Sequence, residues 1–149
     1  MDSKALKVSW VIVLIVNCIV VIIGLTVMIA PEVFMIGEYE GFTGNKWSDY
    51  ISSNPDAASL FKLQVTQTGW YIFTIGVIST IITIVFYKKG DKRSWYILLI
   101  LTVMGWGGSL VYDLPAGDTK TIMMIVILFI IGLIGLAIGA KPILKRKAS

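Results

Sequence analysis

The chain has 149 residues, of which 56% are hydrophobic and only 15% charged, against about 25% charged in soluble domains; its mean hydropathy is +0.84. That deficit of charge points to lipid as the solvent and leaves room for one compact bundle, not two domains. The formal charge of +4 comes from clustered Lys and Arg and does not favour nucleic acid as a partner, and the absence of His removes the commonest proton shuttle and metal ligand.

No charge appears from Val8 to Ala30. About 20 apolar residues cross a bilayer core as a helix, so residues 8–30 read as a first span. The run is longer than the apolar region of a signal peptide, about 7–15 residues, and is read as an uncleaved span. Asn17 lies near its middle and is expected to hydrogen-bond to a neighbouring helix. Cys18, the single Cys, has no internal partner for a disulfide.

Residues 31–53 form the one long connection, expected on the outer side and acidic through Glu32, Glu38, Glu40 and Asp49. Gly37, Gly41 and Gly44 argue against a long regular element there. Asn45 to Ile51 is expected to form a short interfacial helix capped by Asn45. Trp47, Tyr50 and Ile51 would share one face at the headgroup level, as a packed cover or as a lid over a ligand site.

A second helix opens at Asn54-Pro55-Asp56, a cap, a first-turn proline and an acid at the positive end of the dipole. Its uncharged part, residues 63–87, is the second span. Lys88 to Arg93 is a polar turn. Residues 94–112 are the third span, Asp113 to Asp118 a second turn, and residues 121–140 the fourth span, ended by Lys141-Pro142. The fold class expected is therefore an all-α integral membrane protein with four transmembrane helices in one bundle.

Orientation follows Lys and Arg near the span ends. Lys4 and Lys7, the turn Lys88, Lys89, Lys92 and Arg93, and the tail Lys141, Lys145, Arg146 and Lys147 fall on one side. Lys46, Lys62 and Lys120 fall on the other. Both termini are expected in the cytoplasm, with the protein in the plasma membrane.

The polar constellation lies on the second helix. At 100° per residue, Gln64, Gln67, Thr68, Tyr71 and Thr74 occupy a sector of about 120°. Unsatisfied amides are costly in lipid, so the face is expected to point into the bundle. Two readings stay open there: a hydrogen-bond network between helices, or a polar pocket in the outer half. Trp106, Ser109 and Asp113 recur at helical spacing on the third span and would form its opposite wall. Asp113 is expected at the water interface. The candidate ligand-binding set is Gln64, Gln67, Tyr71, Trp106 and Asp113.

Gly105 and Gly108 on the third span, and Gly132, Gly135 and Gly139 on the fourth, read as helix-packing positions within the chain or toward another subunit. Met28, Met35, Met123 and Met124 raise a thioether copper site. Met is also a common apolar filler, and without His or a second Cys no metal or cofactor is assigned. No nucleophile–base pair, phosphate loop or metal-ligand spacing is present, so catalysis is not expected.

In layout the chain resembles the DoxX-like group of small bacterial and archaeal four-helix membrane proteins. The likeness is carried by Ile29-Ala30-Pro31-Glu32, the long outer loop, Thr68-Gly69-Trp70 and Ile75-Gly76, the basic turn, and Gly105 to Gly108 before Asp113. Gln64 to Thr68 stand where that group carries an Arg, and many of its members have no known function, so the resemblance implies a fold and no residue roles. The function expected first is a non-catalytic accessory or structural subunit of a larger membrane complex, of respiratory or monooxygenase type. The alternative is a small-molecule or lipid binding or transport protein using the polar pocket.

Overall fold

The computed structural model describes residues 4–145, so Arg146 and Lys147 of the basic tail lie outside the described residues. The described chain forms six α-helices: α1 Lys4–Ile29, α2 Glu32–Thr43, α3 Trp47–Ser53, α4 Pro55–Val85, α5 Lys92–Ala116 and α6 Thr119–Leu144. Four of them, α1, α4, α5 and α6, are long and apolar enough to cross a membrane. Their outward faces carry Ile15, Ile22, Ile78, Ile100, Ile130 and similar side chains in the open, which suits a surface solvated by lipid.

Helix α1 is the spine. It packs closely on α4 and α6, α6 packs on α5, and α4 barely meets α5. The α1–α4 crossing rests on glycine. A Cβ built on Gly69 would lie 2.6 Å from the Met28 amide nitrogen, and one on Gly76 would lie 2.8 Å from the Val21 amide nitrogen. Between them, a Cβ on Gly24 would collide with the backbone of Phe73. Gly69 and Gly76 are seven residues apart, so both face the same seam. The two backbones touch there because no side chain separates them.

The stripe on α6 packs within the chain. Gly132 meets Thr102 and Val16, Gly135 meets Ile12 and Val13, and Gly139 meets Ser9 and Tyr87. Thus the start of α1, the end of α4 and the end of α6 share one end of the bundle, here the basic end. It is closed by a core of Leu6, Val13, Tyr87, Trp95, Leu98, Leu136 and Ile143. Lys88 lies over the Trp10 ring at 4.7 Å. The turn before α5 forms as its residues dictate: Gly90 takes φ 78°, and the Asp91 carboxylate accepts the Ser94 N–H at 2.9 Å.

The opposite end departs from the sequence expectation. The long connection is two helices, not a loop with one short turn. Gly37 and Gly41 sit inside α2 because they are its packing face, four residues apart. A Cβ on Gly41 would stand 2.6 Å from the Ala116 carbonyl oxygen, and one on Gly37 2.6 Å from the Asp118 carboxylate. Only Gly44, at φ 71°, acts as a stop. Asn45 does not cap α3; Lys46 occupies that position, and Glu40 accepts the Trp47 N–H at 3.0 Å instead. Trp47 is buried, packed on Tyr39, Tyr50 and Phe61, while Ile51 is exposed. Asn54 precedes Pro55 as expected, but its side chain makes no capping bond.

Two prolines lie inside helices where turns were expected. Helix α5 runs through Pro115 to Ala116, and α6 runs through Pro142 to Leu144. Each costs one backbone bond in a last turn, where water can satisfy the freed carbonyl. Gly117, at φ 75°, closes α5, and Asp118 caps α6 by accepting the Lys120 N–H at 3.1 Å.

A cavity between α4 and α5

Because α1 holds α4 on one side and α6 holds α5 on the other, a gap remains between α4 and α5. It is a cavity of about 640 Å³, within the roughly 300–1,000 Å³ of ligand sites. Asn17, Ser79 and Leu98 line its deep end. Phe34 and Glu38 of α2 line it beneath the roofed end, with Asp113 of α5. From Leu98 to Asp113 the helix rises about 22 Å, so the cavity is long. Gln64, Thr68 and Ile75 on α4, and Gly105 and Gly108 on α5, line it yet are exposed. The cavity therefore opens sideways along the α4–α5 seam.

Gly105 and Gly108 make no close packing within the chain. A Cβ at Gly105, Gly107 or Gly108 meets nothing within 4 Å. At Gly105 and Gly108, which line the cavity, the small size of the residue leaves the wall hollow instead of bringing a neighbouring helix close.

The candidate set divides. Gln64, Trp106 and Asp113 meet in the cavity, together with Thr68 and Ser109. Gln67 and Tyr71 do not line it. They lie exposed on the flank of α4, where the Gln67 amide donates to the Tyr71 hydroxyl at 3.0 Å. Thr74 is exposed as well and donates to the Trp70 carbonyl at 2.8 Å. The inward polar face is thus narrower than the helical wheel implies, because a polar group satisfied along its own helix need not turn inward. Asn17 does bond across helices, its amide donating to the Thr83 hydroxyl at 2.9 Å.

The methionines do not gather. Met35 is buried with Trp47 and Ala58, Met28 lies against Gly69, Met124 lines the cavity and Met123 is exposed.

Electrostatics concentrate under the roof. Asp113 is not at a water interface: it is only 5% exposed. The reason is non-local, since α5 continues one turn past it and α2 lies across that turn. Its carboxylate accepts no hydrogen bond from any described residue. Asp118, in contrast, is satisfied, accepting the Thr121 hydroxyl at 2.7 Å as well as its capping bonds. Glu38, also on the cavity wall, has its carboxyl pushed up to about 7, first by burial and then by the negative charge of Asp113 and Asp118. Further along α2, Glu32 pairs with Lys62 of α4, which holds its carboxyl below the usual range. Sequence reasoning missed Glu38. The signal available was Gly37 and Gly41 flanking it at helical packing distance, which would have made α2 a helix with one face against the bundle.

The shift at Glu38 makes stability depend on pH. Between its ordinary 4.5 and about 7 the folded protein keeps a proton that the unfolded chain has lost. The folded state then binds more protons, so stability falls as pH rises through that window. Glu32 acts in the opposite sense and only below about its ordinary 4.5. The midpoint of thermal unfolding in mild detergent is expected to drop between pH 5 and pH 8. Glu38→Gln, which fixes the neutral form, should flatten that slope; a wild-type midpoint that stays level or rises would contradict the assignment.

Comparison with known families, with curated proteins and with solved structures finds no match for this chain.

Proposed function

We propose that this is a membrane-embedded binding protein that takes an amphiphilic small molecule or lipid into the cavity between α4 and α5. One observation carries the reading: a long cavity with an apolar shaft and polar ends, opening sideways where Gly105 and Gly108 leave the wall uncovered. A ligand arriving from the bilayer enters by that seam without crossing water. Binding needs no nucleophile or redox centre, and the reading is non-catalytic. The Lys and Arg bias supports an orientation with the basic end, and both termini, toward the cytoplasm of a plasma membrane and the roofed end outside.

The test is native mass spectrometry of protein extracted in mild detergent. Wild type is expected to retain a co-extracted lipid or amphiphile. Gly105→Phe starts from a Cβ that meets nothing within 4 Å, puts a ring into the hollow wall and should lose it. A wild type that carries nothing, or a variant that carries as much, would overturn the reading.

The second reading is an accessory subunit of a larger membrane complex, of respiratory or monooxygenase type. The same uncovered glycines favour it, because a partner's helix would fit against them. A co-purifying chain that cross-links to the Gly105 side of α5 would select this reading over the first.

A further inference from the structure

We infer that the ligand of this cavity carries a positively charged ammonium group, lodged beneath α2 between Asp113 and Glu38, with its apolar part descending toward Asn17. The inference rests on the binding reading above and names the chemistry of its ligand.

Five observations converge. Asp113 is only 5% exposed as a residue and lines the cavity; its carboxylate has no hydrogen-bond donor among the described residues, and its oxygens keep an opening to the cavity instead of being sealed in protein. A carboxylate held in such a recess without a partner is costly, and charges withdrawn from water are normally paired. Glu38 faces the same space from α2, so the chain places a second acid near the first. Among the described residues no Lys or Arg lines the cavity: Lys62 is held by Glu32, and Lys120 lies in a second groove between α2 and α6. The missing counter-charge must come from a proton or from a ligand.

Aromatic rings line the same cavity: Phe34 lies one turn from Glu38 on α2, Tyr112 is next to Asp113 on α5, and Trp106 and Phe61 lie further along the wall. Aromatic faces attract organic cations, most strongly where water is excluded. A divalent metal is a poor fit, since calcium takes six to eight oxygen ligands and two carboxylates supply too few. No group of three or more acidic, His or Cys side chains among the described residues is arranged to hold a metal. Below the rings the lining turns to Val20, Ile23, Ile72 and Leu101, which suits a hydrocarbon tail.

The probes are dodecylammonium, whose N–H groups can donate to a carboxylate, and, with the same chain length, uncharged dodecanol and anionic dodecanoate. Each is titrated into protein in maltoside micelles, which contain no ammonium, and binding is read by thermal shift and by tryptophan fluorescence. The ammonium probe is expected to bind wild type about tenfold or more tighter than dodecanol, and dodecanoate more weakly still. Asp113→Asn should remove that preference while dodecanol binding stays. Glu38→Gln should reduce it.

Equal affinity for dodecanol and the ammonium probe on wild type would overturn the cation assignment and leave the cavity reading standing; this comparison needs no variant to fold. No binding by any probe, with Gly105→Phe indistinguishable from wild type, would remove both. Added phosphatidylethanolamine distinguishes the two sources of an ammonium group. Competition with the probe assigns a lipid headgroup, and undiminished probe binding assigns a free lipophilic amine.

Discussion

Gly24→Leu is expected to leave little folded protein in mild detergent, and Gly24→Ala is expected to lower its stability. The reason is the α1–α4 crossing. A Cβ at Gly24 runs into the amide nitrogen of Phe73, and its next neighbour, the Phe73 Cα, would be 2.6 Å away. Those are backbone atoms in the middle of a long helix and cannot swing aside as a side-chain tip does. Overpacking usually costs about 1–3 kcal/mol, occasionally more, and a backbone collision in the spine of the bundle belongs at or above the top of that range. Gly69→Leu should behave alike, because its Cβ meets the Met28 backbone. The control is Gly107→Ala. There a Cβ meets nothing, and exchanging Gly for Ala in a helix gains roughly 0.5–1 kcal/mol. Thermal unfolding followed by circular dichroism compares the set. If Gly24→Leu and Gly107→Ala melt together, the crossing does not hold the bundle.

The two groups of glycines show where sequence reading reaches its limit. The four long apolar helices were legible because each contains a long run without charge, a property of local composition. The stripe of Gly132, Gly135 and Gly139 was legible as a face because its spacing is helical. Whether a glycine face meets a neighbour is not local. Gly105 and Gly108 carry the same signal and face a hollow, because α1 draws α4 away from α5. Gly37 and Gly41 were read as breakers, yet the spacing that makes Gly132, Gly135 and Gly139 a face also makes them one.

The candidate site was half legible for a related reason. Gln64, Trp106 and Asp113 reach the cavity, and nothing in the periodicity separates Gln64 from Gln67. What separates them is the Tyr71 hydroxyl, which satisfies Gln67 on the outer flank and removes the need to face inward. The burial of Asp113 was illegible because it depends on α2, an element 75 residues earlier in the chain, lying across the end of α5. Hydropathy marks which helices are apolar enough to cross a membrane, but the closeness of each helix pair decides where space is left.

At the basic end, Tyr87→Ala is expected to destabilise the bundle by about 3 kcal/mol, and Tyr87→Phe by about 1 kcal/mol. The difference separates the ring from the hydroxyl. The ring is fully buried among Leu6, Trp95, Leu98 and Leu136. Its loss leaves a cavity that the surrounding helices cannot close, although lipid in place of water reduces the transfer share of the cost. The hydroxyl shares a hydrogen bond of 2.5 Å with the Ser9 hydroxyl, which also bonds to the Gly135 carbonyl at 2.6 Å. Ser9 keeps the second bond when the first is removed, so Tyr87→Phe strands no group. Gly139 lies against both hydroxyls, and any side chain there collides with them. Gly139→Ala should therefore be destabilising alone and cost less in the Tyr87→Phe background, with a coupling of about 0.5–3 kcal/mol. A double-mutant cycle in detergent, unfolded by heat or by sodium dodecyl sulfate, measures it. Strict additivity would mean that Gly139 and the Tyr87 hydroxyl do not meet, and that the end of α4 is not locked between α1 and α6.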